Sequence, residues 1–282
     1  MSASRAGIVL VGGRSTRMGR PKATLEWHGS TLARRVTGIV ARAVDGPVVV
    51  VRAPGQALPS LPAAAEVVED EVEGRGPLQG LATGIEALAE RAELAYVSST
   101  DVPFVHPAFV RRVLAAVGPD VDVALPEVGG YRQPLAAAYR TTLLAPLREL
   151  IAEERWRPAF LFERCRVRLL GEDELLADSR LAAADPELLS VVNLNEPADY
   201  EAARARPPAP VEVRRFGILR RANGSDPLAV RAATLGAAAA AAGIELSDHV
   251  VAALNGDQIS RDPEAPLAAG DTVSFLTADG GG

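Results

Sequence analysis

The chain has 282 residues, 48% of them hydrophobic and 23% charged, with a formal net charge of -6. That balance is globular and excludes disordered, collagen-like and membrane-spanning classes, and its acidic sign argues against nucleic acid held mainly by phosphate contacts. The length exceeds the usual single-domain size, so two domains are expected.

From the N-terminal end, short apolar runs alternate with helical patterns. "AGIVLV" (6–11) is expected as a strand, "STLARRVTGIVARAV" (30–44) as a helix and "GPVVVV" (46–51) as a strand. A short strand "AEVVED" (65–70) follows, then a helix "GPLQGLATGIEALAERA" (76–92), a strand "LAYVSS" (94–99) and a helix "HPAFVRRVLAAV" (106–117). This rhythm is that of stacked βαβ units, which need right-handed crossovers and predict a mostly parallel sheet covered on both faces.

Beyond residue 121 the pattern changes. "VDVALPEVGGYRQPLAAAYR" (121–140) reads as a hairpin turning at Gly129-Gly130 beside that sheet, and "TTLLAPLRELIAEERW" (141–156) as a helix. An apolar strand (188–192), a turn (193–197) and a helix "PADYEAARAR" close the block. "RPPAP" is a stiff connector. The expected organisation is therefore an α/β domain over 1–205, a linker over 206–210 and a second domain over 211–282.

In the second domain, "VEVRRFGILRRA" (211–222) reads as a strand pair or one long strand, and "DPLAVRAATLGAAAAAAG" (226–243) as a helix. "HVVAALNGDQI" (249–259) is a hairpin turning at Asn255-Gly256, and "GDTVSFLTA" (270–278) a last strand. The order strand, strand, helix, hairpin, strand is compatible with an α+β β-grasp domain. The single cysteine, Cys165, cannot form an internal disulfide, and "MSASRAG" has neither the apolar core of a signal peptide nor a transit-segment pattern, so a cytoplasmic location is expected. No apolar run reaches the roughly 18 residues of a spanning helix.

Of the 30 basic side chains, Lys22 is the only lysine. It lies in "GGRSTRMGRPK" (12–22), the loop after the first strand, and in an open α/β sheet ligands sit outside the carboxyl ends of the strands. Gly12 and Gly13 allow close backbone approach, and Arg14, Arg17, Arg20 and Lys22 add cations, so the stretch describes a triphosphate cradle. The spacing is neither that of G-x-G-x-x-G nor that of a P-loop, because Lys22 follows Pro21 and precedes Ala23. A compact ammonium fits between crowded phosphate oxygens where a forked guanidinium does not.

"AYVSSTDVPF" puts Asp101 just past a strand, at the same edge of the sheet. A hard carboxylate there suits Mg²⁺, and it equally suits a cap of the following turn. Asp70 in "VVED" offers a carboxylate that can accept two N–H bonds from a guanine edge. Gly76 and Gly80 of "GPLQG" let a base approach the backbone, although Gly-Pro is also ordinary helix-start chemistry. His28, His106 and His249 are widely spaced and form no metal-ligand cluster. No Ser/His/Asp arrangement is visible.

"GGRSTRMGRPK" resembles the opening signature of the molybdenum cofactor nucleotidyltransferases and, more distantly, of the sugar-phosphate nucleotidyltransferases, with Val11 standing where alanine is usual. The resemblance implies a Rossmann-like three-layer domain that binds a nucleoside triphosphate through Leu10, Val11, Gly12, Gly13, Arg14 and Lys22, and through Asp70, Gly76, Pro77, Leu78 and Gly80. It implies catalytic roles for Lys22, Arg17 and Asp101, with Mg²⁺ on Asp101. "YRQPLAAAYR" and "NLNEPADY" resemble the acceptor hairpin and closing motif, which would bring Gln133, Asn193 and Asn195 near molybdopterin. Asn195 equally suits a helix N-cap.

The second domain resembles the ubiquitin-like sulfur carriers, namely the molybdopterin synthase small subunit and the thiamine sulfur carrier. The shared elements are an Asn-Gly turn, a Gly-Asp before the last strand and a terminal Gly-Gly, here followed through to Gly281 and Gly282. That resemblance implies a thiocarboxylate tail served by an adenylating sulfurtransferase and used with a molybdopterin synthase large subunit. The combined expectation is transfer of GMP from GTP to molybdopterin with release of pyrophosphate. CTP use, a sugar-phosphate acceptor and a non-catalytic nucleotide-binding scaffold are the alternatives.

Overall fold

The structure, a computed structural model, describes residues 4–12, 21–71, 75–219 and 227–277. The chain divides into two compact units, Met1–Leu25 with Leu32–Pro197, and Glu26–Thr31 with Ala198–Gly282.

In chain order the elements begin with β1 (Arg5–Leu10), β2 (Glu26–Trp27), β3 (Ser30–Thr31), α1 (Leu32–Ala41), β4 (Val48–Arg52), β5 (Ala65–Glu69) and α2 (Pro77–Leu88). They continue with β6 (Leu94–Ser99), α3 (Pro107–Ala115), β7 (Val123–Val128), β8 (Tyr131–Arg132), β9 (Ala136–Arg140), α4 (Leu144–Ala152), α5 (Pro158–Phe162) and β10 (Val167–Leu170). After α6 (Glu172–Leu176), α7 (Ser179–Ala184) and α8 (Pro197–Ala205) come β11 (Pro210–Arg215), β12 (Leu228–Arg231), α9 (Leu235–Ala241), β13 (Val250–Leu254), β14 (Gln258–Ser260) and β15 (Thr272–Thr277).

The first unit is a sheet in the order β10-β7-β9-β6-β1-β4-β5. An eighth strand, β8, pairs with β7 off this path; the pairs are parallel except β7–β8 and those made by β9, which runs antiparallel to β6 and β7. Strands such as β1 and β4 are apolar on both faces because both faces are covered. Along β1 successive side chains alternate between them: a Cβ on Gly7 would meet Val40 of α1, whereas Ile8 lies against Gly84 of α2. On the α2 side, Leu78, Leu81, Ile85 and Leu88 pack with Ile8, Val97, Leu125 and Tyr139. Each such buried side chain contributes roughly 1.5–3 kcal/mol, which outweighs any single cap.

Helix α2 starts at Pro77 after Gly76, whose φ of 79° puts it in the left-handed region. Helix α3 is capped by His106, whose Nδ1 accepts from Ala108 N–H.

Several expectations change. The run 188–192 is no strand: Leu189–Val191 form a 3-10 turn entered through Leu188 at φ 50°. There the Asp185 carboxylate accepts from the N–H groups of Leu189 and Ser190, so local bonds satisfy backbone that a sheet would otherwise take up. The hairpin at Gly129-Gly130 exists between β7 and β8, but β9 enters the sheet between β7 and β6 rather than lying beside it. β10, for which no strand was expected, is a parallel edge strand on β7.

In the second unit the sheet order is β12-β11-β15-β13-β14, with β11 and β15 parallel and the other pairs antiparallel. Helix α9 buries Leu235, Ala238 and Ala239 against Val213, Leu254, Val273 and Phe275, a β-grasp arrangement. The segment expected as one helix over 226–243 begins instead with β12, whose alternate residues point to opposite sides. The helix starts only where Thr234 Oγ1 accepts from Ala237 N–H. Asn255 (φ 53°) and Gly256 (φ 89°) both take the positive φ of a tight hairpin turn. Asn255 Nδ2 donates to Asp271 Oδ1 (2.9 Å), Thr272 N–H donates to Asn255 Oδ1 (2.9 Å), and Ala268 N–H donates to Asp271 Oδ2 (2.7 Å). The Asn-Gly and Gly-Asp elements are thus parts of one structural clasp.

The β2–β3 hairpin belongs to this unit. Tyr200 Oη donates to the Glu26 carbonyl (2.7 Å), and Arg204 pairs with the Glu26 carboxylate (2.6 Å).

Candidate active site

β1 and β6 are neighbours in parallel register, Leu10 opposite Ser99, so their carboxyl ends open at one edge of the first unit. A cleft of about 500 Å³ lies there. Leu10, Val11, Gly12 and Lys22 line it from the first strand and its loop, and Asp101 lines it from the turn after β6. Asp70, Gly76, Pro77 and Gly80 line it from the end of β5 and the start of α2. A Cβ on Gly12 would stand 3.3 Å from Ala53 N, so the close backbone approach here depends on glycine.

At one side of the cleft Lys22 Nζ lies 2.8 Å from Asp101 Oδ2, with both side chains less than one-fifth exposed. Ser99 Oγ donates to the other carboxylate oxygen, Oδ1. The Asp101 carbonyl accepts from Leu194 N–H at 2.8 Å, which places the chain between Asn193 and Asn195 against the same turn. A lysine and a carboxylate come together here because the loop after β1 and the turn after β6 leave the sheet side by side.

At the other side Asp70 N–H donates to the Arg52 carbonyl (2.8 Å), and Asp70 Oδ1 accepts from Thr83 Oγ1 of α2 (2.9 Å). Burial pushes the Asp70 carboxyl above its ordinary value, against hydrogen bonds from Thr83, Gln79 and the Glu71 backbone that favour the charged form; the Glu71 charge raises it further. A Cβ on Gly80 would lie 3.7 Å from Asp70 Oδ2 and 3.3 Å from Leu10 Cδ2, so the small residue keeps this part of the cleft open. Gln79 is buried and its Oε1 has no hydrogen-bond partner among the described residues. Arg75, also on the cleft, stands over the Trp156 ring at 4.9 Å.

Other expected residues fall elsewhere. Leu78 points into the core beneath α2, so its side chain does not reach the cleft. Gln133 is not part of the lining: its Nε2 donates to the Tyr131 carbonyl (3.2 Å), and Leu135, two residues on, faces the cleft in its place. Asn193 and Asn195 are exposed, with Asn193 Nδ2 donating to the Val191 carbonyl (3.2 Å). Gly13, Arg14, Arg17, Arg20, Gly281 and Gly282 lie outside the described residues.

Sequence reasoning missed Ser99, Arg52, Gln56 and Thr83. Gln56 Nε2 donates to the Val11 carbonyl (3.2 Å) and its Oε1 accepts from Ala53 N–H (3.0 Å), which ties the first loop to the exit of β4. The signal for Ser99 was its place two residues before Asp101; Gln56 had none, since an amide in a Pro-Gly loop looks like solvated surface.

Among the described residues no group of three or more His, Cys, Asp or Glu could hold a metal by itself. Asp101 with Ser99 Oγ offers hard oxygens on an open cleft, a donor set that fits Mg²⁺, which takes one or two protein carboxylates and completes its shell with phosphates and water. Burial raises the Cys165 thiol to about 11, which makes it a poor nucleophile. No helix among the described residues is long and apolar enough to cross a membrane.

Residues 7–167 match the family described as MobA-like NTP transferase domain, and residues 213–282 match the ThiS family. A probable molybdenum cofactor guanylyltransferase of Mycobacterium tuberculosis is 39% identical over 180 residues, covering 62% of this chain and 85% of that protein. A protein of the same description from Mycobacterium avium is 39% identical over 151 residues, covering 52% of this chain and 75% of that protein. Among solved structures, the molybdopterin-guanine dinucleotide biosynthesis protein A of Archaeoglobus fulgidus superposes with a TM-score of 0.53 at 24% identity, over 71% of this chain and 96% of that one. At that identity the likeness is one of fold.

Proposed function

The chain belongs to the MobA-like NTP transferase domain family, and from that premise we propose that its first unit transfers GMP from GTP to the phosphate of molybdopterin and releases pyrophosphate. The observation that carries this reading is that one cleft holds a lysine–carboxylate pair at one side and, at the other, a half-buried carboxylate framed by two glycines. The first is suited to phosphates and a cation, the second to the donor edge of a guanine.

In the reaction an oxygen of the acceptor phosphate attacks the α-phosphorus of GTP. The bond from that phosphorus to the bridging oxygen breaks, and its electron pair leaves with pyrophosphate. Such a transfer needs alignment and neutralisation of charge more than proton movement. Lys22 is already held at the cleft by Asp101, so its charge is in place before the triphosphate arrives. The triphosphate gives the ammonium a second anionic partner, and Arg17 adds a further cation. Asp101 would hold Mg²⁺, which would supply neutralisation of the triphosphate charge. Asn193 and Asn195 serve the acceptor side, on the segment that Leu194 fastens to the Asp101 carbonyl.

We further propose a transferase over 1–205 and a sulfur carrier over 211–282, joined by 206–210, with the chemistry in the cytoplasm. The ThiS-family match supports a carrier tail at Gly281-Gly282 that meets an adenylating sulfurtransferase and a molybdopterin synthase large subunit.

The test is pyrophosphate release with Mg²⁺, molybdopterin and each nucleotide in turn. Release with GTP above all others is expected. No release with any nucleotide overturns the transferase reading, and CTP above GTP overturns the base assignment. For the tail, an intact mass that shows oxygen exchanged for sulfur at the terminal glycine supports the carrier, and an unchanged mass counts against it.

A further inference from the structure

We propose that Thr83 is a specificity-determining positioning residue, which turns the Asp70 carboxylate so that one oxygen is committed to the protein and the other is presented to the guanine edge. This rests on the guanine reading of the cleft.

Thr83 lies on α2, where the neighbouring residues from Gly80 to Ile85 are otherwise glycine, leucine, alanine and isoleucine. A helix threonine ordinarily turns its hydroxyl to the carbonyl one turn earlier in its own helix. Here the hydroxyl donates to Asp70 Oδ1 at 2.9 Å, thirteen positions away in sequence and at the end of a different element. Gln79, one turn before Thr83, also hydrogen-bonds the carboxylate and is itself buried.

With Oδ1 occupied from the helix side, Oδ2 is the oxygen beside Gly80, where a Cβ would stand 3.7 Å away and where the cleft is open. A hydroxyl has one proton to give, and the bond from Thr83, beside those from Gln79 and the Glu71 N–H, sets Oδ1 toward the helix. Guanine presents two adjacent donors, the ring N1–H and the exocyclic 2-amino group. Hypoxanthine lacks the amino group, and cytosine places a ring acceptor where guanine has N1–H. A carboxylate free to rotate would average these differences out; one pinned by Thr83 reads them.

The experiment compares wild type, Thr83→Val and Thr83→Ser with GTP, ITP and CTP, reading KM and kcat separately by pyrophosphate release, together with each variant's melting temperature. The expected result is a KM for GTP raised about tenfold in Thr83→Val, the loss expected for a hydrogen bond to a charged group, with kcat little changed. The GTP-over-ITP preference should collapse in the same variant, and Thr83→Ser should restore both. Thr83→Val with the wild-type preference intact, or with all three nucleotides weakened equally, overturns the proposal. So does a Thr83→Ser protein that melts like wild type but behaves as the valine variant. If wild type itself shows no preference for GTP, the guanine reading falls and this inference falls with it; a wild type that prefers GTP isolates the failure to Thr83.

Discussion

Lys22 and Asp101, 79 positions apart in the chain, meet at 2.8 Å at one side of the cleft. Neither charge is fully immersed in protein, since each side chain keeps nearly one-fifth of its surface in solvent. A pair of this kind contributes little to stability, of order 1 kcal/mol, but holds a cation where a triphosphate will need it. Lys22→Ala is therefore expected to lower kcat for pyrophosphate release by about a hundredfold while shifting the melting temperature only slightly. Lys22→Arg should also lose activity, because the forked guanidinium is bulkier than the ammonium at a crowded phosphate. Wild-type turnover in the arginine variant would show that any cation suffices there.

Asp70 gives a pH prediction whose sign follows from its burial. Its carboxyl is raised in the folded protein, so the ionised form costs folding stability at pH above the unfolded value of about 4, and that penalty disappears as pH falls below it. Recognition of guanine needs the ionised form. The acid limb of kcat/KM for GTP should accordingly be shifted upward from that of an ordinary aspartate and vanish from the profile of Asp70→Asn, which should also bind GTP more weakly. The asparagine variant should be as stable as wild type at neutral pH, or more so. A thermal melt and a pH series on the same preparations check both statements. A variant that is destabilised with its GTP kinetics intact would make Asp70 a structural residue.

Much of this was readable beforehand, and the reasons are local. "LAYVSS" is bounded as the strand it forms, and "AGIVLV" overlaps its strand to within a residue at each end, because both are apolar runs stopped by loop residues. The cleft residues Gly12, Lys22 and Asp101 could be placed since a parallel sheet gathers its strand ends at one edge. The misses share a different cause. The run 188–192 has the composition of a strand, but its hydrogen-bond partner, the Asp185 carboxylate, is a tertiary choice that no period records. β12 was merged with α9 because alanine-rich sequence suits a helix on both sides of Thr234. Thr83 and Gln56 act through single side-chain bonds to distant elements, and such bonds leave no pattern along the chain.

The clasp of the second unit separates structure from chemistry. Asn255 makes two side-chain hydrogen bonds, one to Asp271 and one from Thr272, and also holds a positive φ that asparagine tolerates better than alanine does. Asn255→Ala should cost about 2 kcal/mol, with loss of amide-exchange protection across β13 and β15, because the Asp271 carboxylate loses a partner and the turn is strained. Pyrophosphate release by the full chain should be unaffected. Parallel loss of both would tie the clasp to the transferase chemistry.

Gly80 and Gly84, one turn apart on α2, should fail in different ways when changed to alanine. At Gly84 the new methyl would meet Ile8 Cγ2 at 2.6 Å, inside the contact between α2 and β1, where the close-packed core leaves no room. Overpacking of this kind costs about 1–3 kcal/mol, and it should appear as a lower unfolding midpoint with nucleotide preference retained. At Gly80 the methyl would stand 3.3 Å from Leu10 Cδ2, the end of a side chain that can give, and 3.7 Å from Asp70 Oδ2, on the open side. Gly80→Ala should fold nearly as well as wild type and raise KM for GTP, since the added carbon occupies the space beside the carboxylate that a base would fill. Chemical denaturation and steady-state kinetics on the two variants separate these outcomes. If Gly80→Ala loses stability and keeps its KM, the base does not lie against this turn of the helix.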